Sequence, residues 1–296
     1  MADGSRPSRI DADGKGAAAD AAIEARGEAR GSARADAKAR GQAAKVGWAE
    51  FKVDVWITDF NSVEFGIYKH SRNKAKSRQF TSDMDIFAEI IEAGERTGLL
   101  GYREELWKKS TGMDKRLVFK LFGEKLNWRA TMDLMLGKSL QLTLGARGLP
   151  VTVFSLNIGD HDHVVYIERS ANKWPGMPEQ FSFFLMEDGK PQFFRLKQHM
   201  IDIGGDYTLY DQRGRNIGQL DGTLLTIGGK WRGRVRSDAA DPKLLMVLKL
   251  FCGMLAFNRS CRRHIKRLAA GVKSGAIVPT LEKQEADLYM NPRRVR

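Results

Sequence analysis

Hydrophobic and polar residues alternate along much of the chain with the two-residue period of β-strands. In FKVDVWITDF, residues 51–60, apolar side chains take every second position. KSLQLTLGARGLPVTVFSLN, residues 138–157, predicts two strands around a glycine-rich turn, and EDGK at 187–190 is typical of a tight hairpin. Strand-like runs continue at short intervals to residue 236. This pattern predicts an antiparallel sheet or barrel.

The region before these runs shows a different pattern. Large apolar residues at helical spacing predict a helix over residues 82–98, and REELWKKS at 103–110 predicts a second, shorter helix. We therefore expect an α-rich N-terminal region, residues 46–115, followed by a β-barrel region, residues 116–258.

A long apolar segment follows the strands. Asp241 is a typical N-cap and Pro242 suits the first turn, so a helix is expected to begin here. From Leu244 to Phe257 it is apolar on nearly every side, interrupted only by Lys249 and a glycine. A helix without a polar face is buried on all sides or lies in a bilayer. This stretch extends about 21 Å, less than the ~30 Å hydrocarbon core, so we expect a central helix, residues 242–257, inside the barrel.

The two ends of the chain differ from this core in composition. Residues 1–45 are rich in Ala, Gly and Arg and contain no aromatic residue, which predicts a disordered tail. Residues 259–296 are expected to form a basic helix and tail. The formal net charge of the 296 residues is +13, which favours polyanionic partners.

Cysteine use and the N-terminal composition bear on the cellular compartment. Cys252 and Cys261 lie too far apart on one helix to form a disulfide, and Cys261 lies among arginines. The N-terminal segment lacks the apolar run of a signal peptide. We expect a cytoplasmic protein that can associate with the membrane surface.

One stretch resembles a known family. Residues 192–222 and 241–251 contain an extended apolar strand, a YxLYDxxG turn, a further strand and a capping Asp before a hydrophobic helix. This arrangement resembles the LURP-one-related family of the tubby C-terminal-like superfamily, which also includes the phospholipid scramblases. The resemblance covers at most residues 116–257. It implies a twelve-stranded barrel around a central helix and binding of phosphoinositides, although this stretch shows only eight or nine strands.

The first candidate site is GGKWRGRVR, residues 228–236. On a barrel strand Trp231 and Val235 would point inwards, and Gly233 would allow close packing. The cations would then point outwards: Lys230, Arg232, Arg234 and Arg236. Arginine binds phosphate through paired hydrogen bonds, which favours an anionic ligand. The alternative is a solvated face whose cations pair with nearby acids: Asp202, Asp221 or Asp238.

The second candidate site is the basic helix that follows the apolar segment. Its cations are Arg259, Arg262, Arg263, Lys266 and Arg267. With apolar residues on the other side, such a helix suits a membrane surface, a partner protein or a nucleic acid. The alternative is an exposed helix that simply leaves the barrel.

No P-loop, Rossmann fingerprint, nucleophile elbow or Cys–His zinc pattern occurs in the sequence. His161 and His163 are potential metal ligands, but neighbouring positions rarely converge on one ion. We therefore expect a non-enzymatic protein, without metal or cofactor, that binds anionic phospholipid headgroups. The alternatives are a module that binds nucleic acid or an acidic protein, and a metal-dependent enzyme centred on the two histidines.

Overall fold

The computed structural model describes residues 47–55, 74–75, 84–171, 177–199, 205–223, 229–280 and 285–286. The strands in these residues are β1 (Trp48–Val55), β2 (Lys74–Ala75), β3 (Met84–Glu92), β4 (Glu95–Tyr102), β5 (Val118–Gly123), β6 (Trp128–Leu134), β7 (Val153–Ile158), β8 (Val165–Arg169), β9 (Gln180–Glu187), β10 (Lys190–Gln198), β11 (Tyr207–Tyr210), β12 (Asn216–Thr223) and β13 (Lys230–Arg236). The helices are α1 (Glu104–Lys108), α2 (Leu136–Gly145) and α3 (Pro242–Lys273), with a 3₁₀ turn at Gly112–Asp114.

Twelve of the strands close into an antiparallel barrel. Each strand from β3 to β13 pairs with the next strand in the chain, and β1 closes the barrel by pairing with both β13 and β3. The remaining strand, β2, pairs only with β3. The predicted antiparallel barrel of an α+β protein is therefore confirmed.

The prediction of an α-rich N-terminal region separate from the barrel is wrong. Strands β1, β3 and β4 of this region complete the barrel, so the barrel begins at Trp48. The helix predicted over residues 82–98 is the β3–β4 hairpin, in which Ala93 and Gly94 have φ angles of 51° and 87°. Two consecutive positive φ angles give the tight turn that joins twisted antiparallel strands. The short helix predicted at 103–110 is confirmed as α1.

The first of the two strands predicted within residues 138–157 is also wrong, because α2 occupies that stretch. Its buried side chains recur at helical spacing: Leu136, Ser139, Leu140 and Thr143. The hydroxyl of Ser139 accepts a hydrogen bond from the Val153 amide at 2.9 Å, which holds α2 against the start of β7. The second predicted strand is confirmed as β7.

The first half of α3 lies inside the barrel. The ring of Phe251 contacts Phe181 of β9 at 4.9 Å between centroids. The ring of Phe257 contacts Phe87 of β3 at 5.5 Å. Strands β3 and β9 are on opposite walls of the closed barrel, so the helix between them is surrounded by strands. The predicted central helix is confirmed.

Helix α3 does not end at Phe257 but continues to Lys273. Asp241 caps it as predicted, accepting a hydrogen bond from the Lys243 amide at 2.6 Å. The helix is long and apolar enough to cross a membrane, with a mean hydropathy of 1.5 over its most apolar 18 residues, but 61% of that window is buried inside the protein. The tail predicted at residues 1–45 lies outside the described residues.

Candidate anion-binding surfaces

Strand β13 has the orientation that its alternation predicts. Gly233 and Val235 are buried, and the cations of the strand lie on the outer face. The ring of Phe51 covers Gly233 so closely that a Cβ atom at this position would lie 2.1 Å from Phe51 Cζ. The expectation that Gly233 allows close packing is confirmed.

Two of the β13 cations pair with carboxylates of β1. Lys230 Nζ lies 2.9 Å from Asp54, and Arg232 Nη2 lies 2.8 Å from Glu50. The hydrogen bond from Arg232 is the main cause of the lowered pKa of the Glu50 carboxyl. Because β1 closes the barrel beside β13, the barrel itself brings these opposite charges together.

The other two cations of β13 also have protein partners. Arg236 contacts Asp238 through two nitrogens, at 3.1 and 2.6 Å, which confirms one of the predicted acids. Arg234 donates hydrogen bonds to the side-chain oxygen of Gln219 and lies over the ring of Trp48, 5.5 Å from its centroid. These contacts favour the alternative prediction, a surface whose charges pair within the protein.

Of the other two predicted acids, Asp221 of β12 is directly opposite Arg232. The hydrogen bond with Glu50 is the main cause of the raised pKa of this arginine, and the charge of Asp221 adds to it. Asp202 lies outside the described residues.

The second half of α3 presents a different surface. Between residues 259 and 273, the exposed side chains are all cations apart from Ala270. We call them the cationic face of α3: Arg259, Arg263, Lys266, Arg267 and Lys273. No acidic residue occurs anywhere between residues 242 and 281. The helix therefore supplies no carboxylate of its own to these charges.

Arg262 is the one predicted cation of this helix that the structure separates from the cationic face. It pairs with Glu179 at 2.8 Å. Glu179 is buried and also binds the buried Arg169 at 3.2 Å, the Asn258 amide at 2.6 Å and the Tyr207 hydroxyl at 3.3 Å. Removing one partner of a buried ion pair is strongly destabilising, so this network fastens α3 to the start of β9.

The apolar side of the basic helix is not available to a membrane. Ile265 and Leu268 are buried, with 0% and 2% of their surface exposed. Cys261, which the sequence places among arginines, is also fully buried. The apolar side of this helix therefore packs against the rest of the protein, and its exposed side chains, apart from Ala270, are the cations.

The surroundings of the cationic face include α1 and the turn after it. Lys115 Nζ lies 4.4 Å from the ring centroid of Trp107, which is only 7% exposed. Burial, followed by the charge of Lys115, lowers the pKa of His264 to about 4. This imidazole is therefore neutral at physiological pH, beside cations.

A cavity of about 430 Å³ opens beside the first turns of α3. Apolar side chains contribute to its lining: Ile90, Leu121, Leu245 and Met246. Lys249, the charge that interrupts the apolar helix, pairs here with Glu92 at 2.9 Å, and the Thr97 hydroxyl donates to Glu92 at 2.6 Å. Lys249 therefore brings no unpaired charge to the cavity.

The alternative metal site is centred on His161 and His163, whose ring centroids lie 5.6 Å apart. Burial, together with the charge of Lys243, lowers the pKa of His161. In the part of the chain that the structure describes, no group of three or more His, Cys, Asp or Glu side chains is placed to hold a metal ion.

Comparison of the chain with models of protein families, with curated proteins and with solved structures finds no match. The relation to the LURP-one-related family stays a prediction from the sequence.

Proposed function

We propose that the protein is a non-enzymatic barrel that binds the surface of acidic phospholipid membranes through the cationic face of α3. One observation carries the proposal: the exposed side chains between residues 259 and 273 are cations apart from one alanine, on a segment without any acid. A cation near an acidic leaflet contributes about 1 kcal/mol, so five cations contribute about 5 kcal/mol. This is enough for reversible association.

Phospholipid fits this face better than nucleic acid does. Proteins that bind single strands place exposed aromatic side chains beside their cations, where bases can stack. The exposed part of α3 from residue 259 to 273 has no aromatic residue, and the neighbouring Trp107 is buried. The resemblance to tubby-like proteins, which implies phosphoinositide binding, supports the same choice.

The arrangement of the cations also suits phosphate. Arg259, Arg263 and Arg267 follow one another at intervals of four residues, so their Cβ atoms are about 5–6 Å apart along one side of the helix. Each guanidinium can donate two parallel hydrogen bonds to one phosphate group. A headgroup with several phosphates would engage more than one of these arginines at once.

Flotation with vesicles of neutral phosphatidylcholine and increasing phosphatidylserine tests this function. We expect no binding to neutral vesicles, binding that rises with the acidic lipid, and loss of binding as salt screens the charges. A single-stranded oligonucleotide added as competitor should displace little protein from the vesicles. Binding that ignores the acidic lipid, or preferential binding to the oligonucleotide, would contradict the proposal.

A further inference from the structure

The hairpin of β9 and β10 carries an apolar patch on the outside of the barrel. Phe184 is 56% exposed, and its ring lies 4.9 Å from that of Phe193 on the facing strand. Met186 and Pro191 form the next facing pair on the same side. We call these four residues the hairpin patch. Exposed apolar clusters of this kind mark contact surfaces more often than isolated apolar residues do.

Cations border the hairpin patch on one side. Arg195 and Lys197 follow Phe193 on the outer face of β10, and both are exposed. The guanidinium of Arg195 lies 5.5 Å from the ring centroid of Tyr210 on the next strand. The outer face of this hairpin therefore changes from apolar to cationic along its length.

The cationic end of the hairpin lies next to α3. Glu179, immediately before β9, pairs with Arg262 of α3, and its amide donates to the side chain of Gln198 at the end of β10 at 3.1 Å. Arg262 lies one helical turn from Arg259 and Lys266 of the cationic face. The basic end of the hairpin therefore lies close to the part of α3 that carries the cationic face, and the hairpin patch continues from this end along the outer face of β9 and β10.

We propose that the hairpin patch enters the headgroup region of the same acidic membrane that the cationic face of α3 attracts. This inference rests on the proposed function. Phenylalanine and other large apolar side chains enter the boundary between lipid headgroups and acyl chains, and cations beside them meet lipid phosphates. Glu187 and Asp188 place negative charge at the β9–β10 turn, which disfavours entry of the turn into an acidic membrane. The hairpin would therefore lie along the membrane surface, with Phe184 and Phe193 facing the lipid.

A fluorescent label tests the contact directly. Both native cysteines are buried, so an environment-sensitive thiol label on Phe184→Cys reports this position alone. The control is Thr97→Cys on β4, which lies across the barrel from β10. With phosphatidylserine vesicles, we expect a blue shift and a rise in intensity at position 184 and no change at position 97.

The outcomes separate this inference from the function on which it rests. Failure of both labelled proteins and of the parent to bind vesicles would overturn both proposals. Binding with unshifted spectra at both positions would overturn only the contact of the hairpin patch. A shift at position 184 with a single-stranded oligonucleotide alone, or with rising protein concentration alone, would instead assign the patch to nucleic acid or to a second copy.

A second variant measures the apolar part of the interaction. Phe193→Ser removes one ring of the hairpin patch and leaves every cation in place. We expect the affinity of Phe193→Ser for phosphatidylserine vesicles at low salt to fall several-fold, while the dependence of binding on the acidic lipid persists. Equal affinity of Phe193→Ser and the parent protein at low salt would contradict insertion of the patch.

Discussion

Strand β13 and the second half of α3 both carry arginine and lysine side chains, but they differ in the acidic residues nearby in sequence and on neighbouring strands. β13 lies between two strands, and pairing brings the outward side chains of its neighbours to within about 5 Å. Asp54 of β1 is directly opposite Lys230 and pairs with it, and Glu50, which is opposite Arg234, pairs diagonally with Arg232. The exposed cations of α3 lie on a segment that contains no acidic residue of its own. The acids near a cation, and not only the number of cations, therefore bear on whether a surface of this protein suits an anionic ligand.

The largest change in stability is expected from Glu179, the buried carboxylate that links α3 to the start of β9. Glu179→Ala leaves Arg169, 3% exposed, without its carboxylate, and should lower the free energy of unfolding by about 3–5 kcal/mol. Urea denaturation measures this loss. The control is Glu168→Ala on the outer face of β8, which should change stability by no more than about 0.5 kcal/mol. Similar losses in the two variants would show that Glu179 is not the critical partner.

A smaller effect is expected where β13 packs against β1. A Cβ atom in Gly233→Ala would lie 2.1 Å from Phe51 Cζ, so we expect a loss of about 1–3 kcal/mol in urea denaturation. Combining it with Phe51→Leu should restore part of the stability. Gly145→Ala, where a Cβ atom meets nothing within 4 Å, is the matched control and should be neutral or stabilising. An unchanged Gly233→Ala variant would contradict the packing of this strand.

The burial of His264, with the charge of Lys115 beside it, predicts a pH dependence of stability. The pKa of His264 is about 4 in the folded protein and 6.5 ordinarily, so the unfolded chain binds an extra proton between these values. Stability is therefore complete above about pH 6.5 and falls as the pH decreases towards 4. Between about pH 7 and pH 5 we expect His264 to account for about 1 kcal/mol, after allowance for solvent screening. In His264→Gln, lowering the pH from about 7 to 5 should reduce the free energy of unfolding by less than it does in the parent protein. If the free energy of unfolding depends on pH identically in the two proteins, His264 does not have this role.

The smallest effects are expected at the exposed pairs of β13. Glu50→Gln with Asp54→Asn removes the carboxylates that pair with Arg232 and Lys230, and should leave the free energy of unfolding almost unchanged because the pairs are exposed to solvent. The measurement that matters for this double variant is its affinity for acidic vesicles, which should rise modestly because Arg232 and Lys230 no longer pair with these carboxylates. If affinity does not rise, β13 lies on a side of the barrel that does not meet the membrane.

Local signals predicted much of the fold. The Asp-Gly hairpin, the cap at Asp241 and most of the predicted strands depend on residues close in sequence, and the structure contains them; the exception is the first strand predicted within residues 138–157, which is α2. The helix prediction fails at the β3–β4 hairpin because its apolar residues fit the helical period as well as the two-residue period of a strand. Pairing with β1 and β5 selects the strand, and such long-range pairing leaves no local signal.

The sequence predicts which cations belong to the candidate sites, but it does not predict the residues with which they pair. Arg232 and Glu50 are 182 residues apart, and only closure of the barrel brings them together. The same holds for Arg262 and Glu179, which pair because α3 passes the start of β9. The sequence identifies where charges are concentrated, whereas the topology decides which of them have acids as neighbours.

The most direct test compares the two cationic regions in one vesicle-binding assay. Lys266→Gln/Arg267→Gln and Arg232→Gln/Arg234→Gln each remove two positive charges, so the change in net charge is matched. With phosphatidylserine vesicles, the α3 variant should lose about 2 kcal/mol of binding free energy, or about thirtyfold in affinity. The β13 variant should remain within about twofold of the parent. Equal losses, or a larger loss in the β13 variant, would contradict the assignment of binding to the cationic face of α3.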